Sequence, residues 1–325
     1  MRFLSVLLVL LSVCCSISVA KAGSVVDRVK ARGIVRCGSV ERPGLASVAG
    51  KEVWAGLNVD VCHAIAAAVL GSPDRIEYHV YETPNQFDAV RNQEDDVYFL
   101  TGSEIDEQKL AGKIVPGPAV FVEYHTVMVP SNSAAHNVGD LAGKTICFMI
   151  GSLTERSINA YFDALHKNWL RMPYSEDGEM NDAYNVQRCH AIAGEITTLA
   201  ATRLDPGVNQ LSSRFLQEPL SVFPVMAATG NADARWSAIV FWTVDTLISA
   251  ERPETHWYAG GAGAMPVAAP ELGLDEGWQR RVLAAVGNYG DIFERYLGKN
   301  SRLKLDRGLN ANQIRGGLLL SPFLE

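Results

Sequence analysis

The chain has 325 residues, 48% of them hydrophobic and 20% charged, with a formal net charge of −7. A single core stops growing at roughly 250–300 residues, so this length predicts two lobes, and the composition excludes a disordered or low-complexity chain. No repeat recurs at a fixed period, and the acidic balance argues against nucleic acid as a partner.

Residues 1–22 carry a basic residue, Arg2, then an apolar run, then small residues ending Ala20-Lys21-Ala22, the pattern of a secretory signal cleaved before Gly23. As a membrane anchor the run is poor, because Ser5, Ser12, Ser16 and Ser18 soften it. Val13 in front of Cys14 argues against lipid attachment there. Cleavage removes Arg2 and Lys21 and no acid, which moves the net charge from −7 to −9. The most apolar later stretch, 236–250, contains Asp245 and lies between Arg235 and Glu251, so it is not expected to cross a bilayer. The mature protein is expected to be exported and soluble.

After the leader, 24–31 predicts a short helix with Val25, Val26 and Val29 on its apolar side. IVRCGSV, 34–40, predicts a strand bounded by Gly33 and Pro43-Gly44. The stretch 54–71, WAGLNVDVCHAIAAAVLG, is the helix around which the first lobe is expected to form. Asn58 predicts an N-cap for a helix starting at Val59, Asp60 faces the positive end of its dipole, and Gly71 can end it. Val59, Cys62, Ala66 and Val69 recur at helical spacing with Ile65 beside them, a narrow stripe that can lie on a sheet. A strand at 76–81, a helix at 85–93 and a strand in DDVYFL follow, so the order is βαβα and the sheet parallel. The segment 101–108, TGSEIDEQ, ends that strand in a turn, where ligands of open α/β sheets sit.

FVEYHTVMV, 121–129, is an uninterrupted β-like run and reads as a connector leaving the first lobe. A second α/β pattern begins beyond it: the strand KTICFMI, then Gly151-Ser152-Leu153-Thr154, then the helix ERSINAYFDALH. A Gly-Ser turn opening a helix presents N–H groups and hydroxyls to an anion, although the same sequence serves as an ordinary strand-to-helix turn. A short helix over 181–187 and the strand RCHAIAG lead to Glu195. A second crossing is predicted over 216–226, and a helix over 232–250 returns to the first lobe. AGGAGAM lacks a complete GxGxxG and reads as a loop, so no dinucleotide cofactor is expected.

Of six cysteines, two leave with the signal, and Cys37, Cys62, Cys147 and Cys189 remain, an even number in a chain bound for an oxidising compartment. Spacing allows three pairings. If the first two lie in one lobe and the last two in the other, Cys37–Cys62 and Cys147–Cys189 is the economical choice. No CxxC occurs and the seven histidines lack ligand spacing, so no metal site is expected.

Three segments together, GLNVDVCHAIAAAVLG, QRCHA and the C-terminal run VGNYGDIFERYLGKNSRLKLDRGLN ending in GGLLLSPF, resemble the periplasmic substrate-binding proteins of polar amino acid ABC importers, in the general L-amino acid branch. The resemblance covers essentially the whole mature chain. It implies an α/β fold of two open sheets joined by two hinge strands, and it supports the two within-lobe bridges. The implied organisation is a signal at 1–22, lobe 1 at 23–122, lobe 2 at 123–218, and a return to lobe 1 at 219–325 with a C-terminal extension.

The implied ligand residues are Thr101, Ser103, Gln108 and Lys109 in lobe 1, and Gly151, Ser152, Thr154 and Glu195 in lobe 2. Family members hold an α-carboxylate with an Arg after the turn that follows the third strand; here that position is Gln108, with Lys109 the nearest cation. Gln cannot supply a bidentate guanidinium fork and Lys is only a point charge. The family's amine-binding Asp falls at Glu195, and the aromatic usually found near Gly44 is Leu45. The expected partners are a small amino-acid-like ligand and an inner-membrane ABC permease, with no cofactor. Two other readings stay open: a non-transport paralogue acting as a sensor or partner protein, and a dehydratase-like enzyme using Glu195 as general acid.

Overall fold

The structure, a computed structural model, describes residues 24–48, 53–82, 88–101, 114–204, 211–252 and 269–322. In chain order the strands are β1 Val35–Val40, β2 Ser47–Val48, β3 Trp54–Ala55, β4 Ile76–Tyr81, β5 Val97–Thr101, β6 Ile114–Val115, β7 Ala119–Pro130, β8 Thr145–Met149, β9 Leu170–Tyr174, β10 Ala191–Glu195, β11 Ser213–Phe215 and β12 Ser221–Gly230. The helices are α1 Val25–Arg32, α2 Leu57–Leu70, α3 Asp88–Arg91, α4 Leu153–Ala164, α5 Asp177–Asn185, α6 Ile196–Thr202, α7 Ala234–Ser249, α8 Ala269–Leu272, α9 Trp278–Val286 and α10 Tyr289–Tyr296.

One sheet runs in the order β4-β1-β5-β12-β7-β10-β8-β9. Its two ends are parallel, β4/β1/β5 in the first lobe and β10/β8/β9 in the second. Between them β7 and β12 run antiparallel to each other, with β12 antiparallel to β5 and β7 antiparallel to β10. The chain therefore crosses once in each direction, and Glu123 pairs with Phe223 in the middle of the crossing. The parallel order expected for the first lobe holds for its three outer strands. The crossing strands add the antiparallel centre.

α2 departs from its sequence reading in two ways. It begins at Leu57 rather than Val59, with Asn58 buried inside its first turn and making no cap. The N-terminal N–H groups of Leu57 and Asn58 instead donate to the carbonyls of Gly44 and Leu45, at 3.0 and 2.9 Å. A loop backbone has replaced the side-chain cap. The buried surface is also no narrow stripe: Leu57 through Val69 is buried apart from His63, because α7, α9 and α10 cover the side turned from the sheet. Asp60 is held by Arg295 and by the Tyr296 hydroxyl at 3.0 Å. Gly71 ends the helix in the left-handed conformation, φ 73°.

The second lobe has a core on each side of its strands. Ile158 and Phe162 of α4 pack on Ile146 and Phe148 from one side, and Met180, Ala183 and Tyr184 of α5 pack on Met128 and Ile192 from the other. The disulfides are Cys37–Cys62, tying β1 to α2, and Cys147–Cys189, tying β8 to the turn before β10, with Cα separations of 6.3 and 5.8 Å.

Two features straddle the crossing. α6 places Ile196 and Ala200 in the first lobe's core and Leu199 in the second's. The C-terminal segment buries Leu303, Leu305 and Leu319 in the first core, and Asn310 exchanges two hydrogen bonds with the backbone of Val122 on β7, at 2.7 and 3.0 Å. Pro224, opposite Val122, has no N–H to give. Arg203, at the end of α6, donates to the Leu303 carbonyl at 2.5 Å.

Candidate functional site

The C-terminal ends of β1, β5, β8 and β10 face one another over the crossing, the place where open α/β sheets bind ligands. Arg42, two residues past β1, is fixed at its backbone. Its N–H donates to the Ala46 carbonyl at 2.8 Å, and its own carbonyl accepts from Leu45 and Ala46 at 3.1 and 3.0 Å. Leu45 is fully buried and anchors the loop. From that base the guanidinium reaches lobe 2, where Nη1 pairs with Glu195 Oε2, while Nη2 donates to Thr101 Oγ1 at 3.3 Å. The pair is largely shielded, with 14% and 25% of the two side chains exposed.

Behind it lies a second carboxylate. Glu123 on β7 is buried; its Oε2 accepts from Thr197 Oγ1 at 2.6 Å and its Oε1 from the Tyr124 N–H at 3.1 Å. Burial, and then the charge of Glu195, push its pKa up to about 7, against the opposing pull of Thr197 and Arg42. Two residues along the same strand, on the same side of its pleat, His125 places Nδ1 2.9 Å from Ser221 Oγ and 3.5 Å from Ser157 Oγ. The two serine oxygens are 2.7 Å apart. Burial, then the charges of Arg42 and Arg156, drive the imidazole pKa down to about 4, so the ring is neutral at neutral pH.

The sequence-expected residues divide. Thr101 and Glu195 come together through Arg42. Ser103, Gln108 and Lys109 lie outside the described residues, as does the AGGAGAM segment. Gly151 sits in the left-handed conformation and its N–H donates to Glu155 Oε2 at 2.7 Å. Ser152 caps α4, accepting from the Glu155 N–H at 3.2 Å and donating to the Met149 carbonyl at 2.6 Å; Thr154 is buried. The positive end of α4 is thus complemented by the helix's own Glu155, which Arg171 holds from the other side.

Sequence reasoning missed Arg42, Glu123, His125, Ser157 and Ser221. For Glu123 and His125 a signal existed: they interrupt an apolar β-run at alternate positions, which points both to one face. For Arg42 there was none, since ERPG reads as an ordinary strand-ending turn. Cavities of about 360, 620 and 520 Å³ occur elsewhere and are lined by residues other than these.

Two parallel half-sheets joined by a pair of crossing strands, with polar groups of both halves converging over the crossing, define a two-lobed ligand-binding protein. No family model matches the chain. The general L-amino acid-binding periplasmic protein AapJ of Rhizobium johnstonii is 29% identical over 320 residues, covering 93% of each chain. The glutamate/glutamine/aspartate/asparagine-binding protein BztA of Rhodobacter capsulatus is 30% identical over 325 residues, covering 93% of this chain and 94% of that one. Among solved structures, an ABC transporter periplasmic binding protein of Brucella ovis with glutathione bound superposes with a TM-score of 0.73 at 29% identity, covering 91% of this chain and 98% of that one. The chain belongs to the amino-acid-binding periplasmic proteins of ABC importers, which are solute receptors outside the cytoplasm. Among the described residues no helix is long and apolar enough to cross a membrane.

Proposed function

We propose that this receptor takes an amino acid or a small peptide with a free α-amino acid end between its lobes and delivers it to the permease of an ABC importer. The observation that carries the reading is Glu195, a carboxylate at the end of β10 that faces the first lobe over the crossing and is joined through Arg42 to Thr101. The ligand docks first on lobe 1 through Thr101 and the Ser103, Gln108 and Lys109 segment. Closure then brings Glu195 onto its ammonium group, with Gly151, Ser152 and Thr154 at the rim, driven by the ligand's better fit to the closed form. The named ligands of the relatives, amino acids and glutathione, share such an end.

The crossing of β7 and β12 supports lobe limits at 122/123 and 218/219. The leader at 1–22, read as a cleaved signal without lipid, makes the mature protein a free periplasmic one. We assign no catalytic step. The His125–Ser221 contact has the form of a base and a nucleophile, but an imidazole with its pKa pushed down to about 4 is a weak base, and no carboxylate is recorded against the ring among the described residues.

Native mass spectrometry of freshly purified mature protein tests the reading. A retained amino acid or peptide, released and identified after denaturation, is expected. An apo mass that no amino acid, amine or small peptide shifts would overturn it.

A further inference from the structure

We propose that Arg203 is a latch between the lobes, a third connection beside β7 and β12, which ties the C-terminal segment of lobe 1 to β11 of lobe 2 and holds the lobes at the angle seen here. The latch acts on the motion of the fold whatever ligand the cleft takes, so it stands or falls apart from the receptor reading above.

The C-terminal segment is built into lobe 1. Leu303 and Leu305 are buried in its core, the Leu305 N–H donates to the Leu297 carbonyl at 2.8 Å, and Arg307 holds Glu251, just past α7, at 2.8 Å. Within this segment a tight turn presents one carbonyl. The buried Ser301 hydroxyl donates to the Gly298 carbonyl at 2.8 Å and accepts from the N–H groups of Leu303 and Lys304 at 3.1 and 3.3 Å. Lys304 itself holds a left-handed φ of 51°. A residue with a Cβ is strained there and keeps that conformation only where its neighbours fix it. The Leu303 carbonyl therefore has a set position, and Arg203 Nη2 donates to it at 2.5 Å, with the Lys304 carbonyl at 3.5 Å.

The same guanidinium also touches lobe 2. It lies over the ring of Phe215, 4.7 Å from the centroid, and Phe215 ends β11, which pairs with the lobe 2 part of β7 through Met128. Arg203 closes the C-terminal end of α6, the helix that buries Ile196 and Ala200 in the first core and Leu199 in the second, so the contact sits on the seam. One planar, permanently charged group thus joins a fixed carbonyl of lobe 1 to an aromatic face of lobe 2. A rotation that separates Phe215 from Leu303 breaks one of the two contacts. The arrangement coexists with the Arg42–Glu195 contact across the cleft, so the latch is engaged when the lobes are drawn together, and its loss should let them open wider.

The test is the interlobe distance in the full mature protein without added ligand, read by pulsed dipolar spectroscopy between spin labels at Asp163 on α4 and Ala284 on α9, both exposed. Wild type is expected to populate mainly the shorter distance. Arg203→Gln should shift the ratio of longer to shorter distances by about tenfold, the worth of one hydrogen bond from a charged donor, and Arg203→Lys, which keeps the charge but not the stacked plane, should fall between. Phe215→Leu keeps an apolar side chain in the core and removes only the ring; it should shift the ratio the same way, and it decides the matter should Arg203→Gln fail to fold. The double variant should open no further than the larger single effect, because either change alone breaks the bridge. A distance that stays the same or shortens in both single variants would overturn the latch. So would a double variant that opens by the sum of the singles, which would make the two contacts independent packing.

Discussion

Glu123→Gln removes a buried carboxyl that burial and the neighbouring Glu195 charge hold protonated well above the ordinary range. The carboxyl is 1% exposed and titrates near 7, against an ordinary value of 4.5. Between those two values the native chain holds a proton at this site that the unfolded chain has released. Stability from this group is therefore fully present below about pH 4.5 and is lost as pH rises through about 7, by roughly 1.4 kcal/mol per pH unit and about 3 kcal/mol in total. The amide resembles the protonated acid: its oxygen can accept from the Tyr124 N–H, and its nitrogen can donate to Thr197 Oγ1, which can reverse its hydrogen bond. Urea unfolding of wild type and variant at pH 5 and pH 8 reads the difference, which includes the Glu123 proton and its coupling to Glu195. The variant should be near wild type at pH 5 and more stable than it at pH 8. A difference that does not change with pH would refute the assignment of this proton to Glu123.

Four further outcomes follow from the same geometry. His125 titrates on the opposite side: its folded pKa is near 4, so its contribution is present above about 6.5 and lost as pH falls towards 4, and His125→Gln should retain about 3 kcal/mol more than wild type at the acid end of a urea series. Replacing the Cys37–Cys62 pair by alanines, closing 25 residues, should cost about 3.5 kcal/mol, and the Cys147–Cys189 pair, closing 42, about 4 kcal/mol; unchanged denaturation midpoints would contradict both. Asn310→Ala leaves the N–H and C=O of Val122 buried without partners and should lower stability by roughly 2–4 kcal/mol, with hydrogen exchange at Val122 accelerated. Gly56→Ala places a methyl 2.2 Å from the Leu45 carbonyl at a φ of 147°, so it should displace the Arg42 loop and lower both the melting temperature and ligand affinity.

Much of the scaffold was legible because its signals are local. β1 announced itself by a β-branched run between turn residues, β4 by its alternation of apolar and polar residues, α1 by the spacing of its valines, α4 by the Gly-Ser turn before it, and β7 by an uninterrupted β-like run long enough to leave one lobe and enter the other. β9 escaped because it is an edge strand with exposed residues and no alternation to read. α6 escaped because its apolar residues are shared between two cores, which blurs a single stripe.

The sequence by itself determined the folding class, the two-lobed division and the presence of Glu195 at a strand end, since each depends on residues close together in the chain. Only the tertiary structure decided what Glu195 faces. Its partner Arg42 is 153 positions away, and the two meet because β7 and β12 bring the ends of β1 and β10 together over one crossing. The helix cap shows the same division. Asn58 had the right chemistry to cap α2, but the loop before the helix offered carbonyls already in place, and the asparagine was buried instead. Four cysteines likewise allowed three pairings until the sheet set which sulfurs are neighbours. Local propensity is written in consecutive side chains, whereas charge pairing and shared burial belong to groups that only the folded topology makes adjacent.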